Sequence, residues 1–156
     1  MTSMYWQNAR QIECALEECF NEILFYRMHD MPVINPVLKV QALGFTNYHE
    51  DWLGLLITPW FMNLLLFPGR LNEWPALQPG GKFERYFPYG SFEFTMANEA
   101  RLGQYALCSL FSPMFQFSEQ ADAVHAAQAA LQGLLARPEP RLISRRDMLR
   151  GKLAKV

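Results

Sequence analysis

The sequence predicts an α+β fold: an antiparallel or mixed sheet of about five strands, flanked by an N-terminal and a C-terminal helix and followed by a basic tail. Three observations point there. Apolar residues recur at helical spacing near both ends of the chain, whereas the middle alternates or runs continuously apolar over strand-length segments. Ten prolines cut that middle into short elements. With 51% hydrophobic and 14% aromatic residues, the chain can build a core and is not a disordered polymer. Its 156 residues suit one domain, assigned to 1–140, with 141–156 as the tail.

The first helix is expected over about Gln7–Met28. Ile12, Leu16, Cys19, Phe20, Ile23 and Leu24 form its apolar face, Glu13, Glu17, Glu18 and Glu22 its polar side, and Pro32 stops it. A proline-bounded extended segment, Met31–Pro36, follows. Leu38–Thr46 and Trp52–Ile57 read as two strands joined by a turn at Tyr48–Asp51. Phe61–Phe67 is an apolar run broken only by Asn63, as a central strand buried on both faces would be. Gly69–Pro88 is expected to be a loop. Ser91–Met96 and Gln104–Leu110 complete the sheet around a turn at Asn98–Gly103. Ser118 is the expected cap of a last helix whose apolar face is Ala121, Val124, Ala127, Leu131, Leu134 and Leu135, ending at Arg137-Pro138.

Charge is unevenly distributed. Residues 141–156 hold six basic side chains against one acid, or +5, and the formal total of −1 leaves −6 for residues 1–140. An acidic body with a basic tail does not fit nucleic-acid binding. The longest apolar stretch, Leu53–Phe67, is interrupted by Thr58, Pro59 and Asn63, so no stable membrane insertion is expected. The start of the chain lacks the basic-then-apolar pattern of a signal peptide, and a cytoplasmic protein is expected.

Catalytic chemistry finds little footing. Cys14, Cys19 and Cys108 have no metal-ligand or disulfide spacing and read as reduced thiols. His29, His49 and His125 are scattered, and Gly80-Gly81-Lys82 lacks the rest of a phosphate loop. His29-Asp30 could pair as acid and base, but a histidine at a helix C-terminus is favourable without any catalysis. No catalytic residue, metal site or cofactor is expected.

Aromatic side chains beside prolines at predicted strand ends suggest binding instead. They occur in Thr58-Pro59-Trp60, Trp74-Pro75, Tyr86-Phe87-Pro88-Tyr89-Gly90 and Phe111-Ser112-Pro113-Met114-Phe115. Rigid aromatics bury much area at low entropic cost, so Trp60, Trp74, Tyr89 and Phe115 are the candidate partner-binding residues. These loops could also simply close over the ends of the core. Taken alone, the residues leave open a general peptide-binding or scaffold protein, and more distantly a cysteine- or histidine-dependent enzyme.

Met28-His-Asp-Met-Pro32, Asn35-Pro36, Leu56-Ile-Thr-Pro-Trp-Phe-Met-Asn-Leu64, Phe67-Pro-Gly69, Trp74-Pro75, Pro88-Tyr-Gly90 and Cys108-Ser-Leu-Phe-Ser-Pro-Met114 resemble, in order, the HybE/HupJ/HoxT family of [NiFe]-hydrogenase assembly chaperones. The closing Ser-Arg-Arg-Asp-Met-Leu-Arg-Gly is similar to the HupJ/HoxT branch. The resemblance implies a maturation factor that attends the hydrogenase small-subunit precursor, which carries a twin-arginine signal peptide, with the large subunit and a rubredoxin-like protein as further partners. It implies no catalytic residues, and this chain lacks the Cys-x-x-Cys pairs of a rubredoxin iron site. Ser144-Arg-Arg-Asp-Met-Leu149 itself matches the twin-arginine pattern, at the wrong end for an export signal. It reads either as a solvated basic tail or as a mimic of the partner's signal, with Arg145 and Arg146 engaging the body.

Overall fold

A computed structural model describes residues 6–70 and 74–136. Helix α1 (Ala9–Ile23) runs into one π-helical turn (Leu24–Met28), and the irregular segment that follows leads into the sheet. The strands are β1 (Gln41–Tyr48), β2 (Asp51–Ile57), β3 (Met62–Phe67), β4 (Lys82–Phe87), β5 (Gly90–Glu99) and β6 (Gly103–Phe111), and helix α2 (Gln120–Leu135) follows. They form one sheet in the order β1-β2-β3-β6-β5-β4, with every pairing antiparallel.

The sheet has six strands, where about five were expected. The additional one, β4, falls inside the segment expected to be a loop. Its sequence Lys82-Phe-Glu-Arg-Tyr-Phe87 alternates exposed with covered residues, the pattern of an edge strand: Lys82 and Glu84 face water, while Arg85 lies on the covered side over Phe83 and Trp74. Two other expectations shift. Glu119, not Ser118, is the N-cap of α2, and Ser118 donates from its hydroxyl to Asp122 Oδ2 at 3.0 Å. Ala121 is exposed, and Ala123 takes its place on the buried face of α2.

Strand alternation builds two apolar layers. Met62, Leu64 and Leu66 of β3 pack with Leu53, Leu55 and Ile57 of β2 and with Ala123, Ala127 and Leu134 of α2. Leu65 and Phe67 point the other way, joining Ile12, Leu16, Cys19 and Phe20 of α1 and Tyr105 of β6. Every residue of β3 is buried, which explains why it is apolar throughout except at Asn63. A fully buried Leu contributes roughly 1.5–3 kcal/mol, so this strand pins both helices to one sheet.

Close approach fixes one end of the sheet. The β1–β2 turn places His49 and Glu50 at φ 47 and 72, the left-handed conformations of a tight hairpin turn. The next residue, Asp51, is buried, and its Oδ1 accepts the Gly69 amide at 3.0 Å and the Trp74 indole N–H at 3.1 Å. A buried carboxylate requires such donors. Gly69 lies so close that a Cβ would overlap the Glu50 carbonyl oxygen, whereas a Cβ at Gly133 on α2 would meet nothing within 4 Å. Gly69→Ala is therefore expected to destabilise the protein by at least about 2 kcal/mol by forcing the turn apart. Gly133→Ala is expected to stabilise it by roughly 0.5–1 kcal/mol through helix propensity. Urea unfolding measures both, and equal stabilities for the two variants would contradict this assignment.

Candidate functional site

An antiparallel sheet sends alternate connections to opposite ends. The approach to β1, the β2–β3 turn and the exit from β6 share one end. The β1–β2 turn, the β3–β4 connection and the β5–β6 turn share the other. The β4–β5 turn runs out on the same side of its strands as the first group, but the coiled sheet carries it round to Tyr48 at the far end of β1, which stacks on Phe87 and donates to the Tyr86 carbonyl. At the first end one side chain joins three proline-bearing segments. Asn35 is buried, and its Nδ2 donates to the carbonyls of Met114 and Phe117, both at 2.9 Å. Its Oδ1 accepts the Val37 amide at 3.2 Å, its own amide donates to the Pro59 carbonyl at 2.9 Å, and its carbonyl accepts the Leu38 amide at 3.1 Å. Every polar group of Asn35 is satisfied, and the segments 31–38, 58–61 and 112–117 are held together by it.

Thr58 organises the middle segment. Its fully buried Oγ1 accepts the amides of Trp60 and Phe61 at 3.2 and 3.0 Å, closing the turn tightly enough to present the Pro59 carbonyl to Asn35. On the far side Gln120 of α2 fixes the approach to β1: its Oε1 accepts the Lys39 amide at 2.9 Å, and its Nε2 donates to the Lys39 carbonyl at 3.3 Å.

Two of the candidate aromatics lie at this end. Trp60 is half-buried, edge-on to Phe61 with ring centroids 5.4 Å apart. Phe115 follows directly on Met114, whose carbonyl Asn35 holds, and is 55% exposed. Tyr89, in the β4–β5 turn, is 64% exposed and lies apart from them, anchored through its amide to the Leu134 carbonyl at the opposite end of α2 from Gln120, at 3.2 Å. Trp74 belongs to the other end. It is half-buried between Asp51 and Phe83, with the Arg85 guanidinium 5.8 Å from its ring centroid. Arg145 and Arg146 lie outside the described residues.

Sequence reasoning missed Asn35 as the organiser, and it missed four exposed apolar side chains: Phe25, Tyr26, Met31 and Val37. Phe25 and Tyr26 occupy the π-helical turn, off the buried face of α1, and Met31 and Val37 flank Asn35 in the chain. A large apolar residue on the polar side of a predicted helix was the available signal.

Cys19 and Cys108 are placed for packing, whereas Cys14 is exposed. Burial pushes the Cys19 thiol above its ordinary 9.0, with Glu99 adding to the shift; burial does the same for Cys108, reinforced by Glu93. Burial also raises the Tyr105 hydroxyl. Among the described residues, no group of three His, Cys, Asp or Glu side chains is gathered as a metal would require. Because the folded state holds these protons more tightly, their stabilisation is complete below pH 9.0 and falls as pH rises above it. Two results are expected: iodoacetamide labels exposed Cys14 well before Cys19 or Cys108, and urea midpoints fall steadily above pH 9. Rapid labelling of Cys19 in the folded protein would contradict this.

Comparison with known proteins gives this geometry a family. The model of "[NiFe]-hydrogenase assembly, chaperone, HybE" matches residues 11–151. The chain is 44% identical over 135 residues to "Protein HoxT" of Cupriavidus necator, covering 80% of this chain and 75% of that one. It is 38% identical over 117 residues to "Probable rubredoxin HupJ" of Rhodobacter capsulatus, covering 75% of this chain but only 42% of that longer protein. In structure it is similar to HybE from Escherichia coli, solved in solution, with TM-score 0.69, 26% identity, and coverage of 92% of this chain and 90% of that one. The chain belongs to the HybE family of [NiFe]-hydrogenase assembly chaperones, in its HupJ/HoxT branch.

Proposed function

We propose that this protein is a non-enzymatic chaperone that holds a [NiFe]-hydrogenase small-subunit precursor, through its twin-arginine signal peptide, in the cytoplasm before export. The large subunit and a rubredoxin-like maturation factor are further partners in this reading. The observation that carries it is the sheet end where Asn35 staples three segments and leaves Phe115 exposed, with Trp60 half-covered in the adjoining turn; exposed Tyr89, beside the C-terminal end of α2, is a second contact in this reading. Aromatics held on a rigid frame lose little entropy when a partner covers them, which is what an anchor residue needs.

Supporting context comes from the relatives' names, which speak of hydrogenase assembly and, in one case, of rubredoxin. Among the described residues no helix is long and apolar enough to cross a membrane. Trp74, tied to Asp51 at the opposite end, is assigned to the frame and not to the binding surface.

Capture by a tagged small-subunit precursor, with and without its signal peptide, tests the reading. Trp60→Ala, Tyr89→Ala and Phe115→Ala are each expected to weaken capture, Trp60→Ala by about 2 kcal/mol or roughly 30-fold, with the fold intact by circular dichroism. Trp74→Ala is expected to lower the melting temperature while leaving capture unchanged below it. Equal capture of an unrelated twin-arginine precursor, or undiminished capture by all three variants, would contradict the proposal.

A further inference from the structure

Helix α2 ends against an apolar groove of about 220 Å³. Leu64, Phe92 and Leu110 form its sheet side, and Ala129, Ala130 and Gly133 its helix side. Small side chains on α2 give the groove its depth, and no charged side chain lines it. Its occupant must therefore be apolar.

The chain carries a suitable segment within reach. Leu134, which also lines the groove, lies two residues before Ala136, and 20 residues follow Ala136 in the sequence. The first apolar pair beyond it is Leu142-Ile143. Six residues span roughly 20 Å when extended, at about 3.3 Å each. Doubling back from Leu134 to Ala129 needs only about 8 Å, at 1.5 Å per helical residue. Charge favours the same return, because residues 141–156 carry +5 and the remainder of the chain −6. Cations are also attracted to the C-terminal end of a helix dipole, where this segment begins. A tether this short gives an effective concentration on the order of millimolar, enough for two aliphatic side chains to matter.

We infer that the groove between α2 and the sheet is the docking site of the chain's own segment 141–149, with Leu142 and Ile143 as its apolar anchors. Tyr89 lines the same groove, so the docked segment covers one of the residues assigned above to partner binding. A partner arriving there has to displace it, which makes the tail an internal competitor. The docking itself does not depend on the chaperone reading and can hold or fail without any hydrogenase subunit present.

Tryptic cleavage after Arg145 and Arg146 in the full-length protein, against a synthetic peptide of residues 137–156, tests this. Docking is expected to slow cleavage at least about 10-fold relative to the peptide, independently of protein concentration. Gly133→Leu, which fills the groove, and Ile143→Asp, which removes an anchor, are each expected to restore the peptide's rate. Because Ile143→Asp leaves residues 1–136 unaltered, it decides the matter even if Gly133→Leu does not fold. Cleavage of the unaltered protein at the peptide's rate would overturn the inference. So would protection that survives Ile143→Asp, or protection that grows with protein concentration, which would assign the groove to a second copy.

Discussion

The buried amide of Asn35 is the interaction on which one end of the sheet depends. Loops at one end of a sheet have few neighbours of their own, and each brings backbone groups that need partners. Asn35 satisfies carbonyls from two of them, Met114 and Phe117 after β6 and Pro59 in the β2–β3 turn, while accepting amides from its own segment. Each such bond is worth only about 1 kcal/mol net. Losing the side chain costs more, because the Met114 and Phe117 carbonyls lose their donor in a place closed to water, at roughly 1–3 kcal/mol for each unpaired group. Three segments that would otherwise move separately therefore share one conformation. Trp60 and Phe115 take their positions directly from it.

The opposite end uses a carboxylate for a similar purpose. Asp51 ties the β1–β2 turn to Gly69 and to the Trp74 indole, and Gly69 can approach because it lacks a Cβ. The two ends differ in what they leave uncovered. Asp51 draws its tryptophan inward against Phe83 and Arg85, whereas the Asn35 end leaves Phe115, Val37 and Met31 facing water. An aromatic next to a proline is thus not in itself exposed; the polar group that captures it decides. This asymmetry is the basis for the partner contact proposed at the Asn35 end.

Much of the fold was legible in the sequence because periodicity reports burial directly. The apolar run of β3, broken only by Asn63, signalled a strand covered on both faces, and α1 displayed its buried stripe at helical spacing. β4 was illegible because Lys82, Glu84 and Arg85 punctuate its aromatics, and a solvated edge strand differs little from a loop in composition. The site was legible only in part. Pro and Trp marked Thr58–Trp60 as a rigid turn, but nothing local in Asn35-Pro36 reveals that its amide reaches residues some 80 positions later. Contacts at that separation are set by strand order, which hydrophobic patterning does not encode. For the same reason Trp74 and Trp60, alike in local sequence, fell to opposite ends.

The most direct test of this account is hydrogen exchange on Asn35→Ala, paired with capture of a hydrogenase small-subunit precursor. The account predicts faster exchange confined to residues 31–38, 58–61 and 112–117, retained protection across β2, β3 and β6, and precursor capture reduced at least about 10-fold. Precursor capture that stays at the level of the unaltered protein while those three segments exchange freely would contradict it.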